Sequence, residues 1–279
     1  MHGHSSILGL LAFILFITGS LFGCDVREDR GTCPCHITLD LSRAGEVSGQ
    51  EALIRDGVVI TMKSLDGLTS FCDSVPGSDS IRNIVLDGVQ EVTYVLSAIS
   101  GNCLSPNPFL GVKATGERPV AWMWADTFSV SEEDVTVPVV LHKNYATVCL
   151  DLVPGSLTGN VAVSLRDSVA GLLPSLEPVA GLRIVDLKPV YSGPSGTSSY
   201  VVRYEFNVLR HSDFPLWLDI TDSRGATRSF AIGEYIRASG YDWNAEDLDD
   251  LALKVDLAFT SLTLSTQRWP RPYTSKIEI

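Results

Sequence analysis

The chain has 279 residues, 45% of them hydrophobic, and carries 33 acidic against 21 basic side chains, which gives a formal net charge of −12. This acidic balance, without any cluster of Lys and Arg, argues against a nucleic-acid partner because phosphate binding requires concentrated positive charge. The length is sufficient for one large domain or two ordinary ones.

The N-terminal segment has the pattern of an export signal. An uncharged apolar run extends from Ile7 to Phe22, and it is shorter than the roughly 20 residues that a bilayer-spanning helix needs. The run ends in the lipobox Leu-Phe-Gly-Cys, in which the small Gly23 precedes the cleaved bond and the Cys24 thiol accepts diacylglycerol. We therefore predict a signal peptide over residues 1–23 and a lipid-modified Cys24 at the start of the mature chain.

A buried helix that ends in a structural cysteine is the alternative interpretation of this segment. The chain becomes strongly polar directly after Cys24, at residues 25–30, so nothing there would cover such a helix.

Two or three acyl chains, the number that a bacterial lipoprotein carries, hold a protein durably at a membrane, whereas one holds it marginally. The lipid on Cys24 would therefore be a lasting anchor.

Five cysteines remain once Cys24 is assigned to lipid: Cys33, Cys35, Cys72, Cys103 and Cys149. An odd number cannot pair completely within one chain. A disulfide from Cys33 or Cys35 to Cys72 or Cys103 would suit an oxidising compartment, but the spacing does not determine the connectivity. No second Cys or His pair stands at zinc-like spacing from the cluster Cys33–His36, so we predict no metal site.

Short β-type segments follow the predicted tether, residues 24–35. The first, His36–Ser42, alternates apolar with polar side chains as a half-buried strand does. Asp87 and Gly88 predict a hairpin between the strands on either side of them. Further strands of this first group are predicted at residues 57–63, 81–86, 91–97, 118–124 and 135–141.

The strand pattern restarts after residue 142. Short helical pieces are predicted near residues 168–173 and 233–238, and a polar loop at 192–199. These features predict a mainly β chain with two tandem β-sandwich domains, residues 36–142 and 143–279, and few contacts between them. The strands of the second group are predicted at residues 145–152, 160–165, 182–187, 200–209, 216–221, 227–232 and 253–259.

No catalytic constellation is evident. Residues 193–196 do not form a nucleophile elbow, and no phosphate-binding glycine loop occurs. Asp242, Asn244 and Glu246 alternate like the start of a calcium loop, but Asp247 stands where such a loop requires glycine. We therefore predict no enzymatic activity and no cofactor, and a lipid-anchored hydrolase has no residue pattern in its favour.

The tryptophans support an alternative function. Trp122 and Trp124 lie on one face of a predicted strand and could form a platform for sugar rings, although their apolar neighbours favour burial in a core. With Trp217 and Trp243 they are the candidates for a glycan-binding surface lipoprotein, which would require exposed, coplanar aromatic rings beside polar groups.

Several segments carry a family resemblance through their order and spacing. They are the lipobox, the polar spacer DVREDRGT, Cys33–Pro34, the strand HITLDLS, the restart YATVCLDLV, the segment FAIGEYIRASGYDW, and LALKVDLAFTSLTLSTQRW near the C-terminus. In these features the chain resembles the fimbrillin-associated anchor lipoproteins of type V (Bacteroidales-type) fimbriae.

The resemblance implies two transthyretin-like β-sandwich domains behind a lipoprotein signal peptide. It also implies a surface-exposed protein, lipid-anchored in the outer membrane, that binds a fimbrillin-like shaft subunit, contributes to assembly of the fimbria and has no enzymatic activity.

The resemblance further implies that shaft subunits are joined by strand exchange after proteolysis removes an N-terminal strand together with the lipid. An anchor that keeps the lipid on Cys24 cannot be cleaved in that way, so we expect its first strand to stay in place. Tyr273, Ile277 and Ile279 fall on one face of an extended segment, which makes this segment a candidate donor strand. The alternative is a last native strand or a frayed tail.

Overall fold

The protein is built from β-sheets that pack around apolar cores. The computed structural model describes residues 35–43, 57–76, 83–89, 92–131, 134–153, 161–194, 200–212, 215–257, 261–267 and 274–278, with the backbone alone for the last two ranges. The predicted signal peptide, Cys24 and the tether through residue 34 lie outside the described residues.

The first half of the chain forms two sheets. Their strands, with β6, are β1 (Cys35–Asp40), β2 (Val58–Ser64), β3 (Ser70–Val75), β4 (Asn83–Val89), β5 (Thr93–Ser100), β6 (Val112–Lys113), β7 (Trp122–Ser129), β8 (Asp134–Pro138) and β9 (His142–Lys143). One sheet has five strands in the order β3-β2-β5-β7-β9, and the other has three in the order β4-β1-β8, with β1 antiparallel to β4 and parallel to β8. A short 3-10 helix spans Pro108–Leu110.

The second half also forms two sheets. Their strands are β10 (Tyr145–Val153), β11 (Ala162–Leu172), β12 (Pro178–Leu187), β13 (Pro189–Pro194), β14 (Tyr200–Leu209), β15 (Leu216–Thr221), β16 (Thr227–Phe230), β17 (Asp250–Asp256), β18 (Ser261–Gln267) and β19 (Thr274–Glu278). One sheet has six strands in the order β13-β14-β10-β17-β18-β19. The other has the order β12-β11-β15-β16 and is joined by β6 of the first half, which pairs with β11. A helix, α1 (Ile232–Ala238), contacts β15.

Alternating side chains build a core in each half. In β10, Ala146, Val148, Leu150 and Leu152 point inward and are 0% exposed, while the residues between them are half-buried. This is the two-residue period of a strand that covers a core with one face. The core of the second half draws on both of its sheets and on α1, and the core of the first half draws on both of its sheets.

A third apolar cluster joins the two halves. It includes Ile99 and Met123 from the first half together with Val169, Leu172 and Leu209 from the second. The expectation of few contacts at the junction is therefore wrong. The two-residue strand β6 of the first half belongs to a sheet of the second half, and the apolar side chains of the third cluster pack around β6.

The hairpin predicted at Asp87–Gly88 is also wrong. Both residues lie within β4, which pairs with β1 and belongs to a different sheet from β5. The pairing passes from Cys35↔Val89 to Ile37↔Leu86, so two residues of β4 oppose one residue of β1. This β-bulge allows Leu86 and Val89, which a regular strand would point to opposite faces, both to be buried.

The predicted short helices have opposite outcomes. The one at residues 233–238 is confirmed as α1, which buries Ile232 and Ile236. The one at 168–173 is wrong, because β11 continues to Leu172 and keeps alternate side chains in the core. The loop predicted at 192–199 begins too early, since β13 extends to Pro194.

Candidate functional site

The described start of the chain is built into the middle of a sheet. Strand β1 is paired with β4 on one side and with β8 on the other. Cys35 is 1% exposed, and Ile37 and Leu39 are 0% exposed. The chain therefore enters the first core directly at residue 35.

The described end of the chain lies at a sheet edge. Strand β19 pairs with β18 alone in the described residues, with Ile277 opposite Leu264. Of the candidate donor residues, Ile277 lies in β19, whereas Tyr273 and Ile279 lie outside the described residues. In this structure the C-terminal segment thus occupies the position of an edge strand, whose outer backbone groups are available to pair with another chain.

The four candidate tryptophans do not form one platform. Trp122 is 3% exposed and packs edge-on against Tyr145, with ring centroids 5.9 Å apart, so its predicted burial is confirmed. Trp217 is half-buried beside the guanidinium of Arg166, and Trp243 is half-buried against Tyr241. Trp124 is half-buried at the edge of the first core.

Trp124 also lines a cleft at the junction of the two halves, which we call the junction cleft. It has a volume of about 480 Å³ and is open to solvent. Its walls come from β7, from the turn between β11 and β12, and from segments that follow β14 and α1. The residues that line it include Trp124, His142, Ser175, Glu177, Arg210, Ser212, Asn244 and Glu246.

Two basic side chains hold one wall of the junction cleft in place. The Arg210 guanidinium donates hydrogen bonds to the carbonyl oxygens of Trp243, Ala245 and Glu246, and to the Asn144 side chain. Burial of the guanidinium lowers the pKa of Arg210 below its ordinary value.

The second of these basic side chains is His142. Its ring nitrogens lie 3.2 Å from Glu246 Oε1 and 3.3 Å from Asp247 Oδ2. The Asp247 carboxylate also accepts the backbone N–H of Lys143 at 2.7 Å. Through these bonds to β9 and through the bonds from Arg210, the segment after α1 is connected to both halves of the protein.

A buried polar cluster also connects the halves. The Asp167 carboxylate is 0% exposed and lies 2.7 Å from Arg183 Nη2 and 3.1 Å from His211 Nε2. Arg183 donates to the carbonyl oxygen of Gly116 at 3.1 Å, and Asn207 donates to that of Pro119, also at 3.1 Å.

Burial by itself raises the pKa of the Asp167 carboxyl. The His211 ring, the Arg183 guanidinium and the Val169 N–H together outweigh burial, so the pKa of Asp167 lies below its ordinary value. Asp167 is therefore a buried carboxylate whose negative charge the junction stabilises.

Lys143 is a second buried charge at the junction. Its side chain is 1% exposed, and Nζ donates to Asp250 Oδ1 at 2.5 Å and to the Leu248 carbonyl oxygen at 3.2 Å. Burial lowers the pKa of Lys143, with the nearby Asp250 acting in the opposite direction. The predicted domain boundary therefore falls on a residue that is anchored in the interior.

The described cysteines do not support the suggested disulfide. Cys72, Cys103 and Cys149 are free thiols, so neither Cys72 nor Cys103 forms a disulfide among the described residues; Cys33 lies outside them. Cys103 is buried in the shared core, where its Sγ donates to the Val120 carbonyl oxygen at 3.0 Å, and burial raises its pKa to about 12.

The described residues contain no group of three His, Cys, Asp or Glu side chains placed to hold a metal ion. Asp242 Oδ1 accepts the backbone N–H of Asn244 at 2.8 Å, which makes this segment an acidic turn. Among the helices that the structure describes, none is long and apolar enough to cross a membrane.

No protein-family model and no curated protein sequence matches the chain. Solved structures do match it over most of its length. A candidate polysaccharide-binding protein from Bacteroides thetaiotaomicron has 13% identity and a TM-score of 0.59, with 88% of this chain and 98% of that chain covered. A candidate adhesin from Bacteroides ovatus has 11% identity and a TM-score of 0.55, with 88% and 96% covered.

The fimbrial anchor protein Mfa2 from Porphyromonas gingivalis has 10% identity and a TM-score of 0.59, with 86% of this chain and 100% of that chain covered. Identities at this level establish a common fold and nothing finer. The predicted mainly β, sandwich-type fold is confirmed, and the fold of this chain is the one found in a fimbrial anchor protein.

Proposed function

We propose that the protein is an outer-membrane lipoprotein that holds the base of a fimbria at the cell surface and contributes to its assembly. In this proposal, cleavage between Gly23 and Cys24 removes the signal peptide, and acyl chains on Cys24 anchor the mature chain. Residues 24–35 form the tether, except that its last residue, Cys35, is already the first residue of β1. Residues 36–142 and 143–279 form two β-sandwich domains. The protein acts by binding and not by catalysis.

The position of β1 carries the proposal. An anchor must keep a continuous connection between its lipid and its folded body, and β1 supplies one because it is paired on both sides and buries Ile37 and Leu39. The lipobox in the sequence supplies the other end of that connection. The fold common to this chain and Mfa2 is consistent with the same arrangement.

The proposed partner is a fimbrillin-like shaft subunit, and the proposed contact is the C-terminal segment with Tyr273, Ile277 and Ile279. Adding a strand to a sheet is an established binding mode in which backbone hydrogen bonds supply affinity and alternate side chains supply specificity. Strand β19 is suited to it because, among the described strands, it lies at a sheet edge and is paired with β18 alone.

The Cys24→Ala variant tests the anchor. We expect it to lose a metabolically incorporated fatty-acid label and to move from the membrane fraction to the soluble fraction, with fimbriae released into the medium. Cys72→Ala is the matched control, because it removes an exposed free thiol and should leave label and location unchanged. Fatty-acid label retained on Cys24→Ala would overturn the assignment.

A further inference from the structure

The junction cleft has the features of a binding site that the proposed anchor function does not use. None of its lining residues belongs to β1 or β19, and it has a volume of about 480 Å³, within the range of about 300 to 1,000 Å³ that is typical of small-molecule sites. Such sites occur preferentially where two structural units meet. We propose that the junction cleft binds a neutral oligosaccharide.

The aromatic component of this site is Trp124. Its indole packs partly against the first core and also lines the cleft. A half-buried indole is a rigid, apolar surface on which the C–H face of a sugar ring can be removed from water. Of the four candidate tryptophans, Trp124 alone lines this cleft; Trp217 and Trp243 line a smaller one of about 150 Å³.

The polar component consists of exposed side chains that have no other role in the described part of the chain. Ser175, Glu177, Ser212 and Asn244 line the cleft, and their side chains make no hydrogen bond to other described residues. Two hydroxyls, an amide and a carboxylate provide both donors and acceptors, which is the combination that sugar hydroxyls require. A few such groups beside an apolar surface determine how a ligand is oriented.

The wall that carries Asn244 is held in place before any ligand binds. Arg210 binds the carbonyl oxygens of Trp243, Ala245 and Glu246, and His142 contacts the Glu246 carboxylate. A wall that is already ordered reduces the entropy lost on binding.

The charges of the cleft select among sugars. Glu177 carries no described counter-ion, and Glu246 is 3.2 Å from a histidine that is charged only when protonated. Arg210 also lines the cleft, but its guanidinium already donates to the Asn144 side chain and to three carbonyl oxygens. An acidic sugar would bring its carboxylate close to these two side chains, and like charges at short range repel. A neutral sugar avoids this repulsion.

Saturation-transfer NMR on the protein as purified from cells, in detergent micelles, tests the proposal. The probes are maltose, cellobiose, lactose, mannobiose and chitobiose as neutral sugars, with digalacturonate and sialyllactose as acidic ones. We expect at least one neutral sugar to bind, and Trp124→Ala to weaken that binding about tenfold or more, as truncation of a central aromatic residue does.

Asn244→Ala, at an exposed position, should weaken binding without affecting the fold, which covers the case in which Trp124→Ala disturbs the first core. Trp217→Ala, outside the cleft, is the control and should bind as the parent protein does. Absence of binding to every neutral probe, preference for an acidic probe, or full binding by Asn244→Ala and Trp124→Ala would each overturn the proposal. None of these results depends on whether Cys24 carries lipid or a fimbria is attached.

Discussion

The first and last described strands are held in different ways. Strand β1 has a bonded neighbour on each side and buries Cys35, Ile37 and Leu39, whereas β19 is bonded to β18 alone in the described residues. A strand with two neighbours cannot leave without breaking two ladders and opening a core, but an edge strand breaks a single ladder. This difference suits the proposed anchor, which keeps its N-terminal strand in its own fold and offers its C-terminal strand to a partner.

The largest effect is expected from a charge placed in β1. Ile37→Asp would put a carboxylate without a partner in the first core, which costs several kcal/mol, so we expect the variant not to fold stably. Val85→Asp is the matched control on the neighbouring strand β4, because Val85 is 56% exposed, and it should change stability by about 0.5 kcal/mol or less. Chemical denaturation followed by circular dichroism measures both. Equal stability of the two variants would contradict the central role of β1.

An intermediate effect is expected from the junction that makes the two halves depend on each other. Asp167→Asn would leave the Arg183 guanidinium buried without its counter-ion, and we expect a loss of about 3 to 5 kcal/mol in the free energy of unfolding. Asp186→Asn, exposed on the outer face of β12, is the control and should be nearly neutral.

The effect of Asp167→Asn should also depend on pH in a defined direction. The folded-state pKa of Asp167 is lowered, so its contribution to stability is complete above the unfolded-state pKa of about 3.9 and is lost as pH falls through the folded-state pKa. The contribution of the Asp167 charge to the stability difference between parent and variant should therefore shrink as pH falls below about 3.9. A difference that grew on acidification would refute this assignment.

The smallest effect on folding is expected from removing the end of the chain. Of the ladders that the structure describes, deletion of residues 273–279 breaks that between β18 and β19 and no other, so we expect a stable, lipidated protein that sheds its fimbriae into the medium. Electron microscopy of cells and quantification of shaft subunit in the medium measure retention. If the deleted protein fails to fold, the segment belongs to the core, and if fimbriae stay attached, the shaft contact lies elsewhere.

The sequence predicted well those strands whose burial is one-sided. Alternating apolar side chains identified β1, β10 and β14 to within two residues of their ends, because such a pattern has a single favourable register against a core. It could not identify which strand pairs with which. The Asp87–Gly88 dipeptide indicates a local turn, yet the partner of β4 is β1, far away in the chain.

The polar residues of the junction and the cleft were missed for a related reason. Asp167 occupies a core-facing position of β11, between Leu165 and Val169. A charged residue where the alternation calls for an apolar side chain indicates a buried polar site, and this signal is visible in the sequence. Its partners Arg183 and His211 carry no local signal, since their meeting depends on how β11, β12 and the end of β14 come together. The junction cleft draws its walls from several separate segments, so no single stretch of sequence could predict it.

The parallel pairing of β1 with β8 has a mechanical consequence. A pull on the proposed tether would act on the N-terminal end of β1, and the rest of the chain would resist through the C-terminal end of β8, so the two strands would be drawn in opposite directions along their length. In a parallel pair, such tension loads the ladder in shear. The five residue pairs from His36↔Asp134 to Asp40↔Pro138 then bear the load together instead of opening one after another.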